Sequence, residues 1–312
     1  MEFNHVGILI TENCNAHCAM CCDSRGLVQG KTLSEEELNE ILNDINKCSL
    51  IKTIGITGGE PMLYPELIEQ IMQFKFNREI KIGLKTNGFW GKNKNYANEI
   101  IKKYSQKISY ISLSYDEFHM PFIDVECLKN IILTAKDYNI SSDVVGCFLK
   151  NRKSPGDILN LLGESAYYTK FCYQPVIETG SGKTFARDSY IKLLDTNKND
   201  IYCISTIETD LLINPNLDVY PCCSQVIENT ILKAGNLKEN NLNDIISSIK
   251  HNYIFNTIFT QGFTPFIQFL SKNGIDYPLN IASPCELCEF LFKNDWFMKK
   301  LMDEHYYESI GQ

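Results

Sequence analysis

The chain has 312 residues, enough to bury a sizeable core, and its net charge of −8 leaves no basic stripe to neutralise phosphates, so no nucleic-acid partner is expected. No run approaches the roughly 20 apolar residues that span a bilayer, and the amino terminus lacks a charged region followed by an apolar one and a cleavage site. These features speak against a membrane partner and point to the cytoplasm, and thirteen cysteines, an odd count, suit metal ligation in a reducing compartment better than a disulfide framework.

Over the first two hundred residues, strand-like apolar runs alternate with helix-like periodic ones, the pattern of parallel βα units. Strands are expected at Val6 to Ile10, Thr53 to Thr57, Lys81 to Lys85, Ile108 to Ser114, Asp143 to Phe148 and Phe171 to Val176. Five helical patterns lie between them. The first starts at Ser34, where Glu37 completes a capping box, and puts Leu38, Ile41, Leu42 and Ile45 on one face. Leu128, Ile131, Ile132 and Ala135 repeat that spacing further on. The expected fold class is therefore α/β: a partial (β/α)6 TIM-type barrel, with functional groups at the C-terminal ends of its strands.

Four of those strand ends carry informative residues. After the first comes Cys14-Asn-Ala-His-Cys18-Ala-Met-Cys21, whose three thiolates can hold three irons of a [4Fe-4S] cluster and leave the fourth open for chemistry. Structural zinc, with His17 as a fourth ligand, is the plainer alternative. Gly58-Gly59-Glu60-Pro61 follows the second strand, where glycines let backbone approach a ligand and Glu60 can accept from an ammonium. Thr86-Asn87-Gly88 follows the third. At the end of the fourth strand, Ser114 and Asp116 are candidates for ribose or methionine contacts, against a plain helix-capping role, and His119 reads as a turn residue. The loop Gly180-Ser-Gly182-Lys183-Thr-Phe-Ala-Arg187 offers two cations for a carboxylate, of which Arg187 has the better geometry.

A second cysteine group lies downstream at Cys203, Cys222, Cys223, Cys285 and Cys288. Four thiolates complete a cluster, so one is surplus; zinc is again the alternative. Ile213 to Cys222 reads as strand, turn and strand. Adjacent strand residues point to opposite sides, so with Cys222 as ligand Cys223 faces elsewhere and could donate a hydrogen atom. Cys48, Cys127, Cys147 and Cys172 read as small buried apolar residues. Residues Tyr253 to Leu270 fit a core or lid helix broken by Gly262 and Pro265, with a substrate groove as the rival, and Trp90 and Tyr173 are other wall candidates.

With CxxxCxxC, Gly-Gly-Glu-Pro and Thr-Asn-Gly in this order, the chain resembles the radical S-adenosylmethionine (SAM) superfamily. The second cysteine group resembles the twitch form of the SPASM-type auxiliary-cluster domain. Gly88-Phe-Trp-Gly91, Ser114 to His119, Tyr220-Pro-Cys-Cys-Ser224 and Cys285-Glu-Leu-Cys288 look like the epipeptide-type radical SAM peptide epimerases. The resemblance implies a barrel domain over residues 1–195 and a small twitch-type α+β iron–sulfur domain with terminal helices over 196–312. It implies two [4Fe-4S] clusters, one on Cys14, Cys18 and Cys21 and one on Cys203, Cys222, Cys285 and Cys288. SAM would bind among Gly58, Gly59, Glu60, Pro61, Thr86, Asn87, Ser114, Asp116, Lys183 and Arg187, with Glu60 on its ammonium, and yield a 5′-deoxyadenosyl radical. Cys223 would return the hydrogen atom, assisted by Asp210. The substrate would be a ribosomally made precursor peptide whose valine or isoleucine residues become D-residues, and electrons would come from a flavodoxin or ferredoxin. No separate leader-binding domain is expected before residue 14. Met20 stands where the superfamily usually has an aromatic, and Leu217 where the twitch pattern has glycine. Peptide crosslinking on the same plan, and a non-catalytic iron–sulfur regulator, are the rival readings.

Overall fold

The structure is a computed structural model and describes residues 3–22, 30–198, 200–203 and 210–302. Six strands, β1 (His5–Leu9), β2 (Thr53–Thr57), β3 (Lys81–Thr86), β4 (Ile108–Ser114), β5 (Ser141–Phe148) and β6 (Lys170–Pro175), run parallel in chain order. They alternate with α1 (Glu35–Lys47), α2 (Pro65–Gln73), α3 (Lys94–Tyr104), α4 (Val125–Asp137) and α5 (Pro155–Leu162). The partial barrel expected from the alternation is what forms.

Two periodicities produce its layers. In α1 the capping box forms as expected, with Ser34 Oγ accepting from Glu37 N and Glu37 reaching back to Ser34 N, and Leu38, Ile41, Leu42 and Ile45 are all fully buried. Each such side chain contributes about 2 kcal/mol by leaving water. They pack in one core with Val6, Ile8, Ile54 and Ile56, one side of strands whose period is two. The other side is different: Gly7, Gly55 and Gly83 stand in register on three adjacent strands. Strand alternation turns them away from the helices, and the lumen face there is glycine-lined but not bare: the His5 ring lies 3.0 Å from where a Gly55 Cβ would be, Leu212 Cδ1 3.4 Å from one on Gly7 and Tyr110 Cδ1 3.8 Å from one on Gly83.

The sheet continues past β1 into the second cysteine region. Strand β7 (Leu194–Asp195) pairs with β11 (Asn280–Ile281), while β8 (Asp210–Ile213) runs parallel to β1 and forms a hairpin with β9 (Asp218–Tyr220), flanked by β10 (Gly235–Asn236). The expected hairpin is thus present and extends the barrel sheet to nine strands. Its turn places Leu217 at φ +66.

Residues 253–272 form the helices Tyr253–Gln261 and Thr264–Lys272. Phe255, Ile258, Phe263, Phe266 and Leu270 are buried in the core, which removes the groove reading for them. The break falls at Gly262, φ +68, where a Cβ would meet the Ile201 carbonyl oxygen at 2.3 Å. Among the described residues, no helix is long and apolar enough to cross a membrane.

Candidate active site

The cysteine loop leaves β1 and is held from below by the second motif. Gly59 N donates to Thr11 O at 2.7 Å and Glu60 N to Asn13 O at 2.8 Å. A Cβ on Gly59 would lie 2.3 Å from Asn13 O, and one on Gly58 2.6 Å from Thr11 O. These glycines therefore serve a close approach to the cysteine loop itself, a use the sequence reading had given to a ligand. Pro61 opens the short turn that follows, Pro61–Leu63.

Glu60 is fully buried. Its Oε1 accepts from Met62 N at 3.0 Å and Thr86 Oγ1 at 2.7 Å, and its Oε2 from Asn87 N at 2.7 Å. Burial pushes this carboxyl up to about 7, against the pull of those three donors and of His119. The carboxylate thus accepts from protein donors that tie the second motif to the third. Asn87 Nδ2 then reaches Asn15 Oδ1 in the cysteine loop at 2.8 Å, and Trp90, buried rather than lining a wall, donates to Thr86 Oγ1 at 3.2 Å. Tyr173 is exposed.

Asp116 is likewise fully buried, and its carboxylate accepts from Phe118 N, from His119 N and Nδ1, and from Cys147 N at 2.7–3.2 Å. With both oxygens so engaged it organises the turn after β4 and does not cap the helix that follows, whose N-cap is Asp124; His119 bonds this carboxylate rather than a backbone carbonyl. Ser114 stays half-buried at the end of β4. Lys183 Nζ pairs with Glu289 Oε1 at 2.7 Å, which engages it away from a methionine carboxylate, while Arg187 is exposed.

The first three cysteines suit a cluster. Ala16 N points at Cys14 Sγ at 3.4 Å, and Cys21 N donates to Cys18 O at 3.0 Å, curling the loop. Burial raises the Cys14 and Cys18 thiols, and Cys18 also feels Cys14 and Cys21. Such a group of desolvated thiols ionises when a metal supplies the opposing charge. Cys147, half-buried, packs on the small cluster of Phe118, Leu149, Val176 and Tyr190 that Cys18 and Met20 also touch. Its backbone alternation gave no sign of this, because the neighbours come from distant segments. Cys172 is exposed, whereas Cys48 and Cys127 are buried as expected.

The second group shares one neighbourhood: the Cys222 thiol is influenced by Cys223, Cys285 and Cys203 and the Cys288 thiol by Cys285 and Cys203, although among the described residues no three metal-ligating side chains are gathered tightly enough to hold an ion. Ser224 N points at Cys222 Sγ at 3.3 Å, and Ser283 Oγ caps the helix Pro284–Phe292 on Cys285 N. Burial raises the Cys285 and Cys288 thiols. For Cys222 a hydrogen bond with Cys223 is the first cause of the rise and burial the second. That contact corrects the opposite-faces argument: β9 ends at Tyr220, and the Cys222-Cys223 pair occupies a bend, where alternation does not apply. Cys223 is the exposed member of the pair.

This group stands at the other end of the sheet from the cysteine loop. Asp210 is buried and level with His5 at the start of β1, and β9 runs back toward that end of the hairpin from Val219 to Tyr220. From Cys223 the chain turns back, so that Gln225 Nε2 donates to the Gly58 carbonyl at 3.3 Å.

Residues 8–162 match the Radical SAM superfamily and residues 203–268 the SPASM iron–sulfur cluster-binding domain. The chain belongs to the radical SAM superfamily, and its cofactors are SAM and two iron–sulfur clusters. It is similar to the YydG protein of Bacillus subtilis (strain 168), whose name connects it with peptide biosynthesis: 26% identity over 296 residues, 93% of this chain and 92% of that one. Its fold is similar to that of anSMEcpe with bound AdoMet and Kp18Cys peptide, with TM-score 0.58, 14% identity and coverage of 82% and 83%. It is also similar to Streptococcus suis SuiB bound to precursor peptide SuiA, with TM-score 0.54, 15% identity and coverage of 86% and 67%. Cys285 and Cys288 fall beyond the matched residues, in the helix Pro284–Phe292.

Proposed function

We propose that this protein is a radical SAM peptide epimerase of the cytoplasm, inverting L-residues, valine or isoleucine, of a ribosomally made precursor peptide. The observation that carries the reading is the position of the Cys223 segment, which starts beside the auxiliary cysteines and ends at Gly58 in the SAM motif. YydG's name connects a relative of this chain with peptide biosynthesis, and SuiB, similar to it in fold, is bound to precursor peptide SuiA in its structure. When bound, SAM at the reduced cluster supplies the hydrogen-abstracting radical, with electrons from a flavodoxin or ferredoxin.

The chain's own residues then do the rest. The lumen beside Gly7, Gly55 and Gly83 admits an extended peptide between the two ends of the sheet. Abstraction of Cα–H from one side leaves a planar carbon, and the Cys223 S–H delivers a hydrogen atom from the other. Asp210, buried at the start of β8, assists as a proton-handling group. The resulting sulfur radical takes up one electron and one proton before the next turnover. Cys203, Cys222, Cys285 and Cys288 hold the auxiliary [4Fe-4S] cluster; Ser114 and Arg187 are retained as SAM contacts, with Gly58, Gly59, Pro61, Thr86 and Asn87 framing the site.

The test is Cys223→Ala with a synthetic peptide translated from a short open reading frame adjoining the gene. We expect 5′-deoxyadenosine release to persist and D-residue formation to fall at least about 100-fold, the scale for loss of a proton or hydrogen donor. D-residues formed at the normal rate by this variant would rule out the assigned donor.

A further inference from the structure

Residues 178–192 lie between the two matched domains, yet they touch both cysteine groups. On one side Ser181 N donates to the Cys21 carbonyl at 2.9 Å. Gly180, φ +53, packs so closely that a Cβ would come within 2.3 Å of the Cys22 carbonyl oxygen. On the other side, Lys183 Nζ meets Glu289 Oε1 at 2.7 Å, and Lys192 Nζ meets Glu286 Oε2 at 2.8 Å and Glu178 Oε2 at 3.2 Å. Glu286 Oε1 further accepts from Glu178 N at 3.1 Å and Ala282 N at 3.3 Å. Both glutamates are nearly buried, 9% and 5% exposed, in the helix that carries Cys285 and Cys288. At i,i+3 spacing the two cysteines share one face of that helix and the two glutamates the next. Tyr190, fully buried, braces the segment by donating to the Gly182 carbonyl.

We propose that residues 178–192 are a strut that fixes the separation of the two cluster sites, with Lys183 and Lys192 as positioning residues acting through Glu289 and Glu286. The strut is a property of the fold; its consequence for catalysis rests on the epimerase reading. A buried carboxylate stripped of its cation re-seats the helix that bears it. A displacement of about 1 Å can cost about 100-fold in a reaction that depends on alignment. Here the misplaced group is the thiol that must meet the carbon radical, so abstraction continues and return fails.

The experiment compares wild type, Lys183→Glu, Glu289→Lys, the double charge swap, Lys192→Met and Lys192→Arg, each loaded with iron and SAM. The probe is the same synthetic peptide. Two quantities are read: the ratio of 5′-deoxyadenosine to D-residue, and amide hydrogen exchange over residues 181–183 and 285–289. We expect the ratio to rise at least about tenfold and exchange to quicken in Lys183→Glu, Glu289→Lys and Lys192→Met. Both should return to within about twofold of wild type in the swap and in Lys192→Arg. Wild-type ratio and exchange in the single variants would overturn the strut, as would a swap that leaves exchange unrestored. Absence of any D-residue from wild type would sink the epimerase reading instead, and the exchange measurement would still decide the strut.

Discussion

Leu217 holds a left-handed backbone, φ +66, at the hairpin turn, and its side chain is fully buried. The two facts pull in opposite directions. A non-glycine residue there costs about 1 kcal/mol, whereas losing a buried leucine side chain costs about 2–5 kcal/mol. Leu217→Gly, although it restores the twitch pattern, should therefore destabilise the protein by about 2 kcal/mol, read as a lower urea midpoint. An equal or higher midpoint would mean that backbone strain dominates. Glu60 gives a pH prediction. Its carboxyl stands at about 7 against 4.5 in the unfolded chain, so between those values the folded state keeps a proton that the unfolded state has lost. Stability should fall as pH rises through that window, by on the order of 3 kcal/mol in total, and Glu60→Gln should flatten the slope in urea titrations at matched iron content. At this scale the cysteine motifs were legible because spacing alone encodes a loop ligand set. The roles of Glu60 and Asp116 were not, since a buried carboxylate and a ligand contact look alike until its hydrogen-bond donors are located.

The elements were the most legible level. Strand and helix periods survive in a single sequence because each βα unit buries its own face, as α1 does with Leu38, Ile41, Leu42 and Ile45. The glycine wall escaped notice because Gly7, Gly55 and Gly83 come together only through the strand register. That wall makes a prediction of its own. A Cβ at Gly83 would find nothing closer than 3.7 Å, so Gly83→Leu can fold, with a change in stability of about 1 kcal/mol, and project into the lumen. We expect peptide turnover to drop at least about tenfold while 5′-deoxyadenosine formation without peptide stays within about twofold. Unchanged turnover would remove the lumen as the peptide's path. The Cys222-Cys223 bend was misread for a related reason: alternation was applied beyond the end of β9.

For the whole molecule, the nine-stranded sheet carries one cysteine group at each end, and two segments bridge them: residues 223–225, through Gln225 to Gly58, and residues 178–192, through ion pairs that join positions about a hundred residues apart. Long-range pairs of that kind leave no local periodicity, so neither bridge could be read before the fold. Together they tie the two cysteine groups to one another, the arrangement on which the proposed two-sided approach to a peptide carbon depends. The most direct measurement is turnover of the precursor peptide in deuterated water, followed by mass analysis and chiral resolution of the hydrolysed amino acids. The account predicts one deuterium at the Cα of each inverted residue, a D-configuration there and no net oxidation. A product two hydrogens lighter than the substrate, with every residue still L, would contradict it and indicate crosslinking.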